Sequence, residues 1–528
     1  MSRGQSARRW ALAMTARPSV TGTRDEASFG PWLAAELTRA FPQAEVWTWP
    51  VAAGDGRHCV AMLLRGRGAR TLVLTGHFDT VTVADYGDLA PLATEPDLLG
   101  PALLARLGAK AGTAAEKRAL ADLERGDFIP GRGLLDMKAG LAAGLAVCEG
   151  FAAGDAGNLL FLAVPDEEAN SVGARAAAPV LAGMARARGL DLVGAVNLDA
   201  IADDGDGTAG QAIALGTIGK LLPFSFIVGR STHAGFPLAG VNAAVLAAAI
   251  AGEVEWAVEL TDPAAGGTPP SLLMLRDGKA GYDVTTPGTA FAAFNVLTVA
   301  KGPDVVLAAF DALCAAAGAR ALSALAARAP GAGLPATLPV VRFSELDAQV
   351  KADDPKAHAA ARTDLPEASL SDLCRIITAR LWQASGRAGP AVVTGFGSMP
   401  YLPTELSDRP EAQRLHAAAR RAAEVTARKH QTPIRLDAVF AGISDMSFLG
   451  EANAAAMAVI GAETPVWGGA IAWPEEGGIA GLPIVNAGPW GRDYHTPLER
   501  MHVRYGFEVL PDLIAALARE MLEPEVAP

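Results

Sequence analysis

Leu159-Leu160-Phe161-Leu162-Ala163-Val164-Pro165-Asp166-Glu167-Glu168 is an apolar run that stops on a proline and three acids. Its length and unbroken apolar character read as a buried strand. Three adjacent carboxylates at the end of such a strand are costly to desolvate unless protons or cations compensate them. A bound metal ion would supply that compensation.

Two segments upstream repeat the pattern of a polar group delivered just after apolar residues. Thr71-Leu72-Val73-Leu74 runs into Gly76-His77-Phe78-Asp79-Thr80, and Gly133-Leu134-Leu135-Asp136-Met137-Lys138 precedes a Gly/Ala/Leu-rich helix, Lys138 to Phe151. Helical spacing marks Ser28 to Phe41, and Cys59 to Leu64 reads as a strand joined to the next by the Gly-rich turn Gly66 to Gly68. Ala174 to Arg188 reads as a helix, followed by the strand Leu192 to Leu198, which ends at Asp199. Strands alternating with helices predict an α/β domain with a mostly parallel mixed sheet flanked by helices. Ligands of open α/β sheets sit beyond the carboxyl ends of the strands, where His77, Glu167, Glu168 and Asp199 all fall.

The character of the chain changes near residue 216. Phe224 to Val228, Ser271 to Leu275 and Phe291 to Thr298 read as strands, with helices at Ala243 to Leu260 and Val305 to Ala327. That order predicts a small α+β insert. The Pro/Gly/Ala-rich stretch Ala329 to Pro339 reads as its return linker. The expected organisation is a discontinuous catalytic domain, residues 1–217 and 333–528, interrupted by an inserted domain at 218–332. The resumed part predicts helices at Ser369 to Ala384 and Ala412 to His430, and a strand at Ala391 to Val393.

Composition narrows the function classes. The 528 residues are half hydrophobic and carry a formal charge of −12, with no basic stripe, which argues against nucleic acid as a partner. Cys59, Cys148, Cys314 and Cys374 are scattered without C-x-x-C spacing and read as reduced core thiols. The apolar stretch Trp10 to Met14 is too short for a secretory segment, and no uninterrupted apolar run is long enough for a membrane span. A soluble cytoplasmic protein is expected.

The residues that can carry chemistry form a set: His77, Asp136, Glu167, Glu168, Asp199 and His495. Imidazole and carboxylate donors without thiolate suit Zn²⁺, Mn²⁺ or Co²⁺. Two divalent ions about 3.5–4 Å apart can activate one water and polarise one carbonyl. Such a pair needs a bridging carboxylate, two histidines, two further carboxylates and a base, and the set has that count. Taken alone, Glu167-Glu168 reads equally well as a helix N-cap or a solvated loop. Beside the His77 and Asp136 segments it reads as a metal site. Asp203, Asp204 and Asp206 compete with Asp199, which alone directly ends a strand, and His502 competes with His495.

With these segments in view, the chain resembles the M20 family of metallopeptidases and aminoacylases, di-zinc hydrolases with a catalytic domain and an inserted dimerisation (lid) domain. The resemblance runs from Pro18-Ser19-Val20-Thr21-Gly22 to Val503. It implies that His77 and Asp199 hold one metal ion, Glu168 and His495 the other, that Asp136 bridges them, and that Glu167 is the general base. Asp79 would orient the His77 imidazole. Gly491 to Glu499 has the glycine-rich approach and trailing Glu that favour His495 over His502. Gly229-Arg230-Ser231-Thr232-His233-Ala234-Gly235 resembles the family's lid motif, which implies an oxyanion-stabilising role for His233 and a homodimer through the inserted domain. A turn histidine satisfied by Ser231 or Thr232 is the plainer reading, and Asn242 reads as a substrate contact or a helix cap.

Other features depart from the usual pattern. His77 and Asp136 stand about twice the usual distance apart, with Asp85-Tyr86-Gly87-Asp88 and Lys110 to Arg125 between them. The Phe294 to Val299 strand lacks the arginine many members use for a substrate carboxylate, for which Arg230 or Arg492 would have to substitute. That long segment, the lid motif, Tyr282-Asp283-Val284 and Gly442 to Phe448 together look like the RocB-type branch, associated with arginine utilisation. The expected activity is di-metal hydrolysis of an amide bond in a short peptide or N-acylated amino acid. The rivals are a catalytically silent relative that binds an amino-acid metabolite, and a phosphoesterase, which would want more Lys and Arg in these loops. Asp166 is left to face solvent or cap the following turn.

Overall fold

Residues along the Ala156–Val164 strand divide between two apolar layers, as a period of two dictates. Leu159, Phe161 and Ala163 join a core built with the Arg3–Thr15, Arg24–Ala40, Ala139–Glu149, Pro410–His430 and Leu510–Leu522 helices. Leu160, Leu162 and Val164 join a second core with the Val172–Arg188 helix and the short Met446–Leu449 helix. Helices cover both faces, which is why the strand reads as continuously apolar rather than alternating.

The computed structural model describes all residues except 331–336, 452, 472–479 and 524–528. The chain forms two compact units, one of Met1–Thr217, Thr404–Glu451 and Glu476–Pro528, the other of Ile218–Pro403 and Ala452–Glu475.

In the first unit an eight-stranded sheet runs in the order Glu45–Pro50, His58–Arg65, Ala156–Val164, Arg67–His77, Asp191–Asn197, Ile484–Asn486, Ala212–Ala214, Arg435–Asp437. Its centre is parallel: His77 pairs with Val164, Thr75 with Asn197, and Asn197 with Asn486. These registers bring three strand ends level, so the residues that follow them emerge side by side. The Ala139–Glu149 helix lies tight against this centre. A Cβ on Gly140 would meet the Leu198 carbonyl oxygen at 1.9 Å, which explains a glycine where helix propensity favours alanine. A smaller four-stranded sheet joins Phe128–Pro130, Arg500–His502, Trp490–Arg492 and Ile201–Ala202.

The second unit has a sheet ordered Ser271–Asp277, Thr289–Thr298, Pro223–Val228, Ala391–Phe396, Val340–Arg342, with Gly219–Leu221 pairing on Thr289–Thr298. The sequence reading returned the chain to the first domain at 333. Instead Ala391–Phe396 pairs antiparallel along Pro223–Val228, and Val340–Arg342 pairs parallel to Ala391–Phe396. The physical reason is that the Ala391–Phe396 strand, buried throughout, completes a sheet whose core includes Val392 and Phe396. Of the expected linker, residues 331–336 lie outside the described residues. The Ala243 helix ends at Val254, six residues before the expected Leu260. The Pro303–Ala326 helix is long and apolar enough by length and composition to cross a membrane, yet Val306, Leu307, Phe310 and Leu313 are buried in this unit's core. All four cysteines are buried free thiols, as read from the sequence.

Candidate metal centre

The levelled strand ends bring the candidate residues together. His77 is the last residue of its strand, Glu167 and Glu168 follow Val164 by a short turn, and Asp199 follows Asn197 by two residues. Asp136 lies in the Leu134–Lys138 turn ahead of the Gly140 helix, and His495 in the loop between Trp490–Arg492 and Arg500–His502.

Six side chains meet. His77 Nε2 lies 3.2 Å from Asp136 Oδ1, 3.7 Å from Asp199 Oδ1 and 4.0 Å from Glu167 Oε2. His495 Nε2 lies 3.0 Å from Asp136 Oδ2 and 3.1 Å from Glu168 Oε2. Two donor triads result, His77/Asp136/Asp199 and Asp136/Glu168/His495, the donor atoms of each within 4.8 Å of one another. Asp136 turns one oxygen to each triad.

The electrostatics ask for cations. Burial works against a charged His77, yet Asp136, Asp199 and Asp79 outweigh it and push its pKa well above the ordinary value. Burial and neighbouring acids hold Glu167, Glu168 and Asp199 above the usual carboxylate range. His495 is pushed up to about 10, burial opposing and Asp136 and Glu168 prevailing. Four carboxylates and two imidazoles, with no thiolate or lysine among them, fit a pair of divalent cations bound through nitrogen and oxygen.

Asp199, not Asp203, Asp204 or Asp206, joins the cluster. The Asn486 side chain grips its backbone on both sides, accepting from Asp199 N at 3.1 Å and donating to Asp199 O at 2.9 Å. Asp203 instead accepts from Gly205, Ala209 and Gly210 within its own loop. His502 stacks on Trp490 with ring centroids 4.5 Å apart and accepts from Tyr505 N, while burial lowers its pKa.

For other residues the structure changes the partner or chooses between the alternatives the sequence left open. The His77 Nδ1 partner at 3.1 Å is the Asp79 backbone carbonyl, with the carboxylate at 3.5 Å. The Asp79 carboxylate mainly accepts the backbone N–H groups of Glu167 and Glu168, at 3.1 and 3.2 Å, and so holds the turn that carries both. Asp166 does not face solvent. It is buried at a positive φ, caps Asn170 N and Val172 N, and pairs with Arg57. Arg492 is not available to a substrate, because it is buried on Asp122 and the Asp203 and Gly205 carbonyls. Asn242 caps the Ala243–Val254 helix through Ala244 N. His233 belongs to the second unit, exposed on a loop and in neither triad.

Sequence reasoning passed over Asn486, Asn197 and Asp445. Asn197 donates to Asn486 and to Ser444, and Asp445 is buried near His77, Asp79 and Asp199, where burial raises its pKa to about 7. Only the Gly442 to Phe448 motif hinted at Asp445, and no local pattern pointed to Asn486.

Comparison with known proteins identifies the family and the fold. The model of peptidase family M20/M25/M40 matches residues 110–477, which include Asp136, Glu167, Glu168 and Asp199. YqjN of Bacillus subtilis is 29% identical over 89% of this chain and 87% of its own, and RocB of the same organism is 26% identical over 87% and 83%. The fold is shared with aminopeptidase PepT from Bacillus cereus, at a TM-score of 0.54 and 14% identity over 98% of this chain and 99% of that one. The chain belongs to peptidase family M20/M25/M40, a family of metal-dependent peptidases and amidohydrolases.

Proposed function

We propose that this protein hydrolyses the amide bond of a short peptide or an N-acylated amino acid, with Glu167 as its proton carrier. The observation that supports it is the pair of donor triads sharing Asp136, with Glu167 beside them but in neither. Bound in this donor set, two divalent cations (Zn²⁺, Co²⁺ or Mn²⁺) would supply the charge that polarises a carbonyl and acidifies a water molecule.

The protein's own groups do the rest. His77 and Asp199 form one ligand pair, Glu168 and His495 the other, and Asp136 spans both. Asp79 holds the backbone of Glu167 and Glu168, so the base and a ligand move as one piece. Glu167, largely withdrawn from water among other acids, readily holds a proton; it takes one from the attacking water and returns it to the leaving amine. His233 is the proposed oxyanion donor. Its Nδ1 accepts from Gly235 N at 3.0 Å, so in the neutral ring Nε2 carries the proton and can donate.

Likeness to RocB supports including arginine and ornithine derivatives among the candidate substrates. We place the reaction in the cytoplasm, supported by four cysteines kept as separate buried thiols. The test is Glu167→Gln assayed on a panel of N-acyl amino acids and dipeptides. We expect hydrolysis to fall by at least 10²-fold with both ions retained. Full activity in the metal-loaded variant would refute the assignment.

A further inference from the structure

The segment Ala84–Arg125, which separates His77 from Asp136, builds a small body of its own. Its helices Pro96–Lys110 and Ala114–Arg125 share an apolar cluster of Leu103, Leu107, Ala119 and Leu123. Packed against that cluster from elsewhere in the chain is Leu498, three residues beyond His495.

Charge ties the same two regions together. Arg492 and Arg500 stand directly opposite each other where the His495 loop begins and ends. Both are buried, and like charges directly across a strand pair repel. Asp122 resolves the conflict, its Oδ2 lying 2.6 Å from Arg492 Nη1 and 2.7 Å from Arg500 Nη2. Burial alone would raise the Asp122 carboxyl, but the two arginines hold it below the usual range. Arg500 reaches on to Asp493 at 2.6 Å, and Arg118 meets Asp493 from the other side at 3.3 Å. Asp85 and Glu499 share the buried Arg132, and Glu499 also accepts Gly133 N, close to Asp136.

The loop needs this support. Asp493 and His495 adopt φ of 51° and 61°, a left-handed backbone that a non-glycine residue keeps only where its surroundings impose it.

We propose that Ala84–Arg125 is a clamp that sets His495 for metal binding, with Asp122 and Arg118 as positioning residues. The proposal rests on His495 being a ligand. Its test is Co²⁺ binding to the full chain, followed by visible absorption and by competition with a chelator, alongside melting of the chelated protein. Arg118 is a third exposed, so Arg118→Gln is expected to fold normally. It should weaken one of two cobalt sites roughly 10–100-fold, the same site that His495→Ala deletes, and spare the other. Asp122→Asn should do the same, and if it fails to fold, Arg118→Gln decides. Unchanged sites, or equal weakening of both, in folded Arg118→Gln overturn the clamp. If His495→Ala itself binds two ions as the parent does, the ligand reading falls instead.

Discussion

Gly140→Ala separates two forces that act in opposite directions. By helix propensity alone, replacing a glycine within the Ala139–Glu149 helix stabilises by up to about 1 kcal/mol. The new Cβ, however, would stand 1.9 Å from the Leu198 carbonyl oxygen, where ordinary contact begins near 3.4 Å. The obstacle is buried backbone rather than the tip of a flexible side chain, so helix and strand must separate by about 1.5 Å or distort. Overpacking of this kind costs about 1–3 kcal/mol, enough to reverse the propensity gain. The strain falls on the residue before Asp199, so one donor triad should also loosen. Gly252 in the Ala243–Val254 helix has open space around its added Cβ, and Gly252→Ala should therefore stabilise, by about 0.5–1 kcal/mol. Urea unfolding of both chelated variants, with ion content of the loaded ones, gives the comparison. A Gly140→Ala protein at least as stable as its parent refutes the packing argument.

Three further outcomes are expected. Chelation should abolish hydrolysis and lower the melting temperature, with both restored by Zn²⁺; each site filled at 100-fold its Kd contributes about 2.7 kcal/mol, so an unchanged melting temperature speaks against resident ions. Burial, aided by Asp79, lifts the Glu26 carboxyl from 4.5 to about 7. Between those values the native state keeps a proton the unfolded chain has lost, so this group's effect is a fall in stability as pH rises through the window, by a few kcal/mol at most. Glu26→Gln should flatten that slope in denaturant titrations across pH 4.5–7, and an unaltered slope contradicts it. A homodimer through the second unit is expected to use the sheet's outer strand Ser271–Asp277, where Leu273 is 62% exposed; Leu273→Lys should halve the mass seen by light scattering, and a monomeric parent rules this surface out.

How much of this was legible in the chain depends on how local each signal is. The strand Leu159 to Val164, its acidic ending and the histidine-bearing strand before it are local patterns, and they read correctly as a buried α/β sheet with His and carboxylate groups beyond its strand ends. Five members of the cluster, His77, Asp136, Glu167, Glu168 and His495, were also legible, because each sits in a short recognisable segment, whereas Asp199 was set apart from Asp203, Asp204 and Asp206 only by ending its strand.

Only tertiary structure decided the rest, since those interactions join residues far apart in sequence. Asn486 selects Asp199 across 287 positions, and Asp122 steadies the His495 loop across 370. No periodicity encodes such pairings. Nor could the chain alone show that Ala391–Phe396 joins the second unit's sheet, because a buried strand has the same apolar sequence whichever neighbour it pairs with. The sequence determined which polar groups stand just beyond the strand ends. The fold determined which of them meet, and what holds them there.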